Sequence, residues 1–470
     1  MPQQAEIVFR AGELAAVAGG HLHRGRPDTE LGRFAIDSRR VRPGDVFVAI
    51  HGARFDGHRF VAEALGKGAA GAIVAHASAL PPDAGPHAWV VVDDTVAALQ
   101  RIAQAVRRRS GARVVAITGS VGKTTTKELT AALLGTRYRV LRNEGNLNNH
   151  IGLPLSLLEL RRRPEAAVVE LGMNHAGEIS TLVRIAEPDF RVWTNVAEVH
   201  AAFFESVDAI ADAKAEILEG ATPETELVVN AADQRAMARV ARFPGRMTTF
   251  GVTGAAEVRA VEVTDLGLDG SRSRIETPAG AGTLRMRLIG RGHVANALAA
   301  IAVALRFQVP LETILSTAAT FRAQPRRGEV LRLGAGVTVV DDSYNSSPAA
   351  LRSTLRSVGG DRTDGRRVAV LGEMLELGAR AEALHRACGA AAVEAGFTHI
   401  VAIGGAPAVA LAAGAVTAGL PSSAVTTWGT SAEAEPAVSA LVQAGDLVLV
   451  KGSRGVGTDR IVDRLRLDWA

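Results

Sequence analysis

A glycine-rich loop between a strand-like run and a helical run is the strongest chemical signal in this 470-residue sequence. Its two glycines let backbone N–H groups turn toward a phosphate, and the start of the following helix adds positive potential. In such a loop Lys123 would contact the β- and γ-phosphates of a nucleotide, and Thr124 would bind Mg²⁺. A strict Walker A motif would place glycine where this chain has Ile117. The loop consists of Gly119, Ser120, Val121, Gly122, Lys123, Thr124 and Thr125.

Three polar residues downstream of this phosphate loop could narrow its function. Glu170 ends the apolar run AAVVELG (166–172), and open α/β sheets place ligand-binding groups at the ends of their strands. His200 follows another strand-like run, and Lys214 lies in a helical run. Each has an ordinary alternative, namely a cap or ion pair for the glutamate and solvent exposure for the other two. A phosphate loop alone does not separate motors, switches, kinases and ligases, so only the combination narrows the function.

The pattern of apolar runs predicts the elements that would position these residues. Strand-like and helical runs alternate in the middle of the chain, which predicts a parallel sheet with crossover helices. The stretch 247–290 predicts a small antiparallel addition, and 295–307 a buried Ala-rich helix. The alternation returns at 337–453, which predicts a second doubly wound α/β unit. Near the N-terminus, RRRSG (107–111) is polar and marked by glycine, which indicates a linker.

Composition excludes several classes of protein. The formal net charge is only +4 and aromatic residues make up 4%, so a nucleic-acid-binding surface is not expected. The short Arg runs 107–109 and 161–163 are predicted to be solvated. Cys388 is the single cysteine, which excludes an intrachain disulfide and fits a reducing cytoplasm. The most apolar stretch, 395–420, is broken by glycine and proline, so we expect strand, turn and helix there and no membrane insertion.

Several stretches, which occur in the same order, resemble the Mur ligases of peptidoglycan precursor synthesis. DDSYN with LGEMLELG is similar to the branch that adds D-alanyl-D-alanine to a UDP-N-acetylmuramoyl tripeptide, and residues 36–60 are similar to the family's uridine-nucleotide domain. The Asp-Asn-Pro-Arg motif of the diaminopimelate-adding relative is absent from the sequence. The matching stretches are TGSVGKTTTKE (118–128), GNLNNHIGLPLSLLEL (145–160), ELGMNHAGEI (170–179), 195–217, DDSYNSSP (341–348), LGEMLELG (371–378) and KGSRG (451–455).

The resemblance implies a role for each matching residue. Lys123, His200 and Lys214 would form the catalytic group, and ATP and Mg²⁺ would be bound at Lys123 and Thr124. Glu170 would hold that first ion and His200 a second, while a carbamylated Lys214 would supply an anionic oxygen ligand near the metal. The other implied contacts are Asn296 on the adenine side, Arg327 and Asp342 from a third domain, and Asp37, Ser38 and Arg39 for the uridine end.

The implied activity is an ATP-dependent, ADP-forming ligation through an acyl phosphate. We expect three small-molecule substrates, which are ATP, the UDP-linked tripeptide and D-alanyl-D-alanine, and a monomer without nucleic-acid partners. Two alternatives stay open. One is another ligase of the superfamily, such as a different Mur ligase or a folylpolyglutamate synthase. The other is a regulatory P-loop protein that binds nucleotide without ligation.

The expected fold is α/β with three domains. Residues 1–110 would bind the UDP-linked substrate, and residues 111–322 would form a central P-loop domain with a parallel sheet. Residues 323–470 would form a Rossmann-like domain that closes on ATP and binds the dipeptide.

Two short stretches depart from the family pattern. The family usually has Leu-Glu after its metal histidine, where this chain has Ala201-Ala202, so an acidic neighbour of the second metal is lost. The family's Gly-x-His-Asn before the adenine-contacting helix appears here as GRGH (290–293), a local shift around His293.

Overall fold

Three mainly parallel sheets follow one another along the chain in the computed structural model, which describes residues 5–52, 55–79, 85, 87–199, 202–361, 363 and 365–470. Each sheet is built from the apolar runs of one stretch of sequence, and helices cover its faces. The predicted α/β class with a central parallel sheet and a Rossmann-like C-terminal sheet is confirmed. His200 and Ala201 lie outside the described residues.

The first sheet has the strand order β2-β7-β6-β5-β4, and β2 is its antiparallel edge. Residues 107–110 end a long helix, and Gly111 terminates it with φ of 70°, so the predicted linker at 107–111 is wrong. The elements are β1 (Phe9–Arg10), α1 (Ala11–Ala18), β2 (Gly20–Arg24), β3 (Glu30–Leu31), β4 (Phe34–Ala35), β5 (Val46–Val48), α2 (Val61–Gly66), β6 (Gly71–Val74), β7 (Ala88–Val92) and α3 (Thr95–Ser110).

Two of the arginines that were expected to be solvated join this unit to the next. Arg107 donates to the Asp189 carboxylate at 2.8 Å and to the Glu187 carbonyl at 2.8 Å. Arg161 is buried and pairs with Glu6. Because both guanidiniums find partners distant in sequence, the prediction of solvated faces is wrong for these two residues.

The second sheet has the order β16-β15-β14-β13-β12-β11-β8-β10-β9. Strands β8 to β14 are parallel, and β15 and β16 form an antiparallel edge. The antiparallel addition predicted for 247–290 is therefore confirmed for β15 and β16 but wrong for β13 and β14, which extend the parallel sheet. The elements are β8 (Arg113–Thr118), α4 (Lys123–Leu134), β9 (Val140–Arg142), α5 (Gly152–Leu158), β10 (Ala166–Glu170), α6 (Glu178–Ala186), β11 (Phe190–Trp193), α7 (Val207–Ala215), β12 (Glu226–Asn230), α8 (Gln234–Val240), β13 (Arg246–Gly251), β14 (Val258–Asp265), β15 (Ser271–Thr277), β16 (Gly280–Met286), α9 (Gly292–Arg306) and α10 (Leu311–Thr320).

The third sheet has the order β17-β18-β22-β19-β20-β21 with β17 antiparallel. The stretch 395–420 forms strand, turn and helix, as predicted. Among the described residues no helix is both long and apolar enough to cross a membrane. The elements are β17 (Glu329–Arg332), β18 (Thr338–Asp342), α11 (Pro348–Gly359), β19 (Arg367–Gly372), α12 (Ala381–Glu394), β20 (His399–Ile403), α13 (Ala406–Thr417), β21 (Val425–Trp428), α14 (Ser431–Leu441), β22 (Leu447–Lys451) and α15 (Asp459–Asp468).

Candidate active site

The phosphate loop joins the carboxyl end of β8 to the first turn of α4. Gly119 has φ of 148°, and a Cβ there would lie 1.9 Å from the Thr194 hydroxyl oxygen. Gly122 has φ of 86°, and a Cβ there would lie 2.1 Å from Oδ1 of Asn296. Side chains at these two positions would collide with fixed neighbours, so the loop requires glycine for close packing as well as for its turn.

Lys123 begins α4 with its side chain folded over the loop. Its Nζ donates to the Gly119 carbonyl at 2.8 Å. Burial lowers the pKa of Lys123, the charge of Glu170 opposes that shift, and the charge of Arg327 adds to it. The ammonium therefore lies at the centre of the loop, within electrostatic range of residues from two sheets.

Asn195 holds the loop from the next strand. Its side-chain oxygen accepts from the Val121 N–H at 2.9 Å, and its Nδ2 donates to the Val121 carbonyl at 2.9 Å. Asn195 was not among the predicted site residues, although its place just after β11 was a usable signal, since β11 lies beside β8 in the sheet.

Glu170 lies at the end of β10, beside β8, and is 5% exposed. Its carboxylate accepts from the Thr124 hydroxyl at 2.7 Å and from Nδ2 of Asn148 at 3.0 Å. The structure thus brings together the two residues that the resemblance assigns to the first Mg²⁺. Asn148 was missed as a site residue, although it belongs to the matching stretch GNLNNHIG.

Lys214 lies in α7 and is only 2% exposed. Burial is the main reason that its pKa is well below the usual value; the charge of Lys123 lowers it further and that of Glu170 opposes the shift. Within the described ranges, its ammonium has no hydrogen-bond or salt-bridge partner. Lys214 therefore lies near Lys123 and Glu170 but is not part of the cavity wall.

A cavity of about 770 Å³ separates the phosphate loop from the carboxyl ends of the third sheet. Asn296, Arg327 and Asp342 line it together with Lys123 and Thr124, so these expected nucleotide contacts share one space. The Asp342 carboxylate accepts from Lys451 Nζ at 2.6 Å and from the Thr354 hydroxyl at 3.1 Å. The Arg327 guanidinium lies 3.8 Å from the centre of the Tyr344 ring.

The two departures from the family pattern both lie where the second and third sheets meet. His293 lines the cavity. Burial lowers the pKa of His293, and the charge of Asp342 opposes this shift. The Ala202 N–H donates to the Glu376 carbonyl at 2.9 Å, and a Cβ on Gly378 would lie 3.2 Å from the Cα of Ala202. The absence of a Cβ at Gly378 therefore lets the loop after β19 approach the backbone of Ala202 closely.

The residues expected at the uridine end lie outside this cavity. The Arg39 guanidinium donates to both carboxylate oxygens of Asp37, at 2.9 and 2.8 Å, and lowers the pKa of Asp37 to about 2. The Ser38 hydroxyl is buried and donates to Glu63 at 3.1 Å. Arg39 is the residue of the three whose side chain is freely exposed, at 83%.

Across the described residues, no three His, Cys, Asp or Glu side chains gather in a ready-made metal cluster. The donors that do meet, the Thr124 hydroxyl and the Glu170 carboxylate, are oxygens beside a phosphate loop. Mg²⁺ prefers such oxygens and usually completes its shell with waters and substrate phosphates, so these residues fit that ion. An ammonium at Lys214 does not fit a metal, whereas a carbamate oxygen there would.

Three family models match the chain. Residues 33–107 match the Mur ligase family catalytic domain, 117–304 the Mur ligase middle domain, and 326–454 the Mur ligase glutamate ligase domain.

Named relatives extend these matches. A UDP-N-acetylmuramoyl-tripeptide–D-alanyl-D-alanine ligase of Bacillus subtilis is 33% identical over 93% of both chains. A crystal structure of MurF from Acinetobacter baumannii is 32% identical with a TM-score of 0.88, over 99% of this chain and 100% of that one. MurF from Thermotoga maritima, solved in complex with ADP, is 28% identical with a TM-score of 0.80, over 93% and 97%. With family models and relatives matching along most of its length, this chain belongs to the Mur ligase family.

Proposed function

We propose that this chain joins D-alanyl-D-alanine to UDP-N-acetylmuramoyl tripeptide, with ATP converted to ADP and phosphate, in peptidoglycan synthesis. The observation that carries the proposal is the cavity in which the phosphate loop faces Arg327 and Asp342. Relatives that carry the name of this ligase match the chain almost from end to end. A regulatory P-loop protein would need one Mg²⁺ site beside its loop, but not the second one expected at His200 and Lys214.

The chemistry follows from the poor reactivity of a carboxylate at neutral pH. An oxygen of the tripeptide carboxylate attacks the γ-phosphorus of ATP, the bond to the β-phosphate oxygen breaks, and ADP leaves. The dipeptide amine then attacks the acyl carbon of the acyl phosphate, phosphate departs with the C–O bond electrons, and the amine nitrogen loses a proton. Lys123 and the start of α4 offset the negative charge that builds on the transferred phosphoryl group.

Thr124 and Glu170 would hold the first Mg²⁺, and His200 and a carbamate on Lys214 would serve a second. Bound metal ions would offset phosphate charge and orient the transferred group. The ammonium of Lys214 is buried and has no partner among the residues that the structure describes. This supports the carbamate, because the lowered pKa increases the fraction of neutral amine that reacts with CO₂. Lys123, His200 and Lys214 form the catalytic group in this proposal.

Three domains would bind different substrates: residues 1–110 the UDP-linked substrate, 111–322 ATP, and 323–470 the dipeptide. The third domain would also close on ATP. Closure excludes water, which would otherwise hydrolyse the acyl phosphate. The Arg380–Glu198 ion pair and the Ala202–Glu376 hydrogen bond join the second and third sheets next to the cavity.

Closure predicts a smaller particle when substrates bind. We expect small-angle scattering to give a lower radius of gyration with the UDP-linked tripeptide and a non-hydrolysable ATP analogue than with neither. The same measurement with the dipeptide alone is the control, and we expect no change there. An equal radius in all three samples would show that the third domain does not move.

Arg39 is expected to bind the UDP end of the substrate and to take no part in chemistry. We expect Arg39→Ala to raise the KM for the UDP-linked tripeptide roughly tenfold, because one charge-assisted hydrogen bond is lost. The KM for ATP should not change. Arg26→Ala is a matched control, because Arg26 is exposed in the same unit and pairs with Asp28 two residues away at 2.7 Å. A change mainly in the KM for ATP would contradict this assignment of the first domain.

Phosphate release tests the function as a whole. With ATP and UDP-N-acetylmuramoyl tripeptide, rapid release should require D-alanyl-D-alanine, and the product should carry the added dipeptide by mass spectrometry. Another amino acid or glutamate as the preferred acceptor would assign the chain to a different ligase of the superfamily. Nucleotide binding without phosphate release for any acceptor would favour the regulatory alternative.

A further inference from the structure

Four Lys and Arg side chains of the described residues line the cavity, and three of them are already engaged. Lys123 belongs to the phosphate loop, and Lys451 is buried against Asp342 at 2.6 Å. Arg327 lies over the Tyr344 ring and close enough to Lys123 to lower the pKa of that lysine. The fourth, Arg454, follows β22 on the third-sheet wall and is exposed.

Arg454 has spare hydrogen-bonding capacity. Its Nη1 donates to the Tyr344 hydroxyl at 3.3 Å, and its guanidinium lies 5.4 Å from the centre of that ring. No carboxylate of the described residues lies within salt-bridge distance of it. A guanidinium has five N–H donors in a planar fork that matches a carboxylate, so most of its donors stay free for a ligand.

An apolar side chain lies beside this cation. Leu375 lines the same cavity and is 44% exposed, so its apolar side chain is accessible to a ligand there. Its N–H donates to the Ser453 hydroxyl at 2.9 Å, and a Cβ on Gly455 would lie 3.0 Å from its Cδ1. The hydrogen bond ties the loop after β19 to the loop after β22, and so fixes the leucine next to Arg454.

We propose that Arg454 binds the carboxylate of the incoming dipeptide and that Leu375 contacts its methyl groups. This proposal rests on the proposed function and names the acceptor site within it. D-Alanyl-D-alanine has a carboxylate at one end, an amine at the other and a methyl group on each residue. A free cation next to an exposed leucine complements the carboxylate end of such a molecule.

The position of Arg454 also suits the geometry of the reaction. The phosphate groups bind at Lys123, and a free carboxylate is repelled by them. Arg454 follows β22 of the third sheet, Lys123 begins α4 on the second, and both line the cavity. A dipeptide held by its carboxylate at Arg454 would direct its amine toward the acyl phosphate. The third sheet would in this way supply acceptor specificity, while the second supplies phosphoryl transfer.

The test combines a variant with a modified substrate. We expect Arg454→Gln to raise the KM for D-alanyl-D-alanine about 10- to 100-fold, because a charge-assisted bidentate contact is lost. The KM values for ATP and for the UDP-linked tripeptide should stay within about twofold of wild type. Wild type should lose a similar factor with D-alanyl-D-alaninamide, which has no carboxylate. The variant should show no further loss with the amide, because the interacting charge is already gone.

The outcomes separate the two proposals. An equal loss for the amide in wild type and in Arg454→Gln would overturn the contact, while wild-type ligation of D-alanyl-D-alanine would still support the function. Wild type that ligates neither acceptor would overturn the proposed function itself.

Arg460→Gln is the matched control, since Arg460 is exposed nearby in sequence but pairs with Glu435 outside the cavity, and it should behave as wild type. Arg454→Lys, which keeps the charge, should retain most of the discrimination between the two acceptors and serves if the glutamine variant fails to fold.

Discussion

Replacing Lys123 with alanine should leave a folded protein whose kcat is roughly 10²- to 10³-fold lower. A loss of this size is typical when one donor that stabilises transition-state charge is removed. The ammonium lies over the phosphate loop, where its Nζ is 2.8 Å from the Gly119 carbonyl. Steady-state phosphate release, measured at saturating ATP, the UDP-linked tripeptide and dipeptide, gives the size of the loss in kcat.

Two measurements distinguish this loss from general damage. The melting temperature of the variant should stay close to that of wild type, because the side chain makes its hydrogen bonds within its own loop. Arg291→Ala is the matched control, since Arg291 is an exposed cation next to the cavity that does not line it. Activity of Lys123→Ala within a few-fold of wild type would remove Lys123 from the catalytic group.

The parts of the fold that follow from short-range pattern were predictable from the sequence. Buried parallel strands such as β8 and β10 are largely apolar runs; the phosphate loop follows β8 directly, and β10 ends in Glu170. The phosphate loop could be located because its glycines and its lysine lie close together in the sequence. A parallel sheet then places Glu170 beside the loop, because strand ends meet at one edge.

Features that depend on contacts between residues distant in sequence could not be predicted from local patterns. RRRSG looked like a linker because its arginines are polar, yet basic residues are common in the last turn of a helix, where they favour the dipole. Asp189, the carboxylate that pairs with Arg107, is 82 residues away along the chain. The cavity itself is formed by two sheets, so no local pattern could show that Arg454 has no carboxylate partner among the described residues.

The same limit applies to Lys214. Its sequence context, DAIADAKAEI (208–217), is that of an ordinary solvated helix, and only the packed structure shows that the lysine is buried. A buried charge without a partner is costly, so such a group is expected to be neutral or chemically modified. The family resemblance indicated a carbamate, and the burial supplies a physical reason for one.

Lys214→Ala should reduce kcat by roughly 10- to 100-fold, as is typical when support of a metal site is lost, and short carboxylic acids such as acetate or propionate should restore part of it. The added acid would fill the space of the missing side chain and supply the oxygen that the carbamate provides. Activity is measured as phosphate release at rising acid concentration, with ionic strength held constant.

Lys127→Ala is the control that makes the rescue specific. Lys127 is also fully buried in the central unit, but its ammonium is already paired, donating to the Asn143 carbonyl at 2.6 Å and lying 3.0 Å from Glu128. Its replacement should lower the melting temperature and should not respond to added acids. With ¹³C-labelled bicarbonate, a carbamate carbon signal should be present in wild type and in Lys127→Ala and missing from Lys214→Ala. Wild-type activity of Lys214→Ala without added acid, or a carbamate signal that survives its removal, would show that Lys214 is only a buried structural lysine.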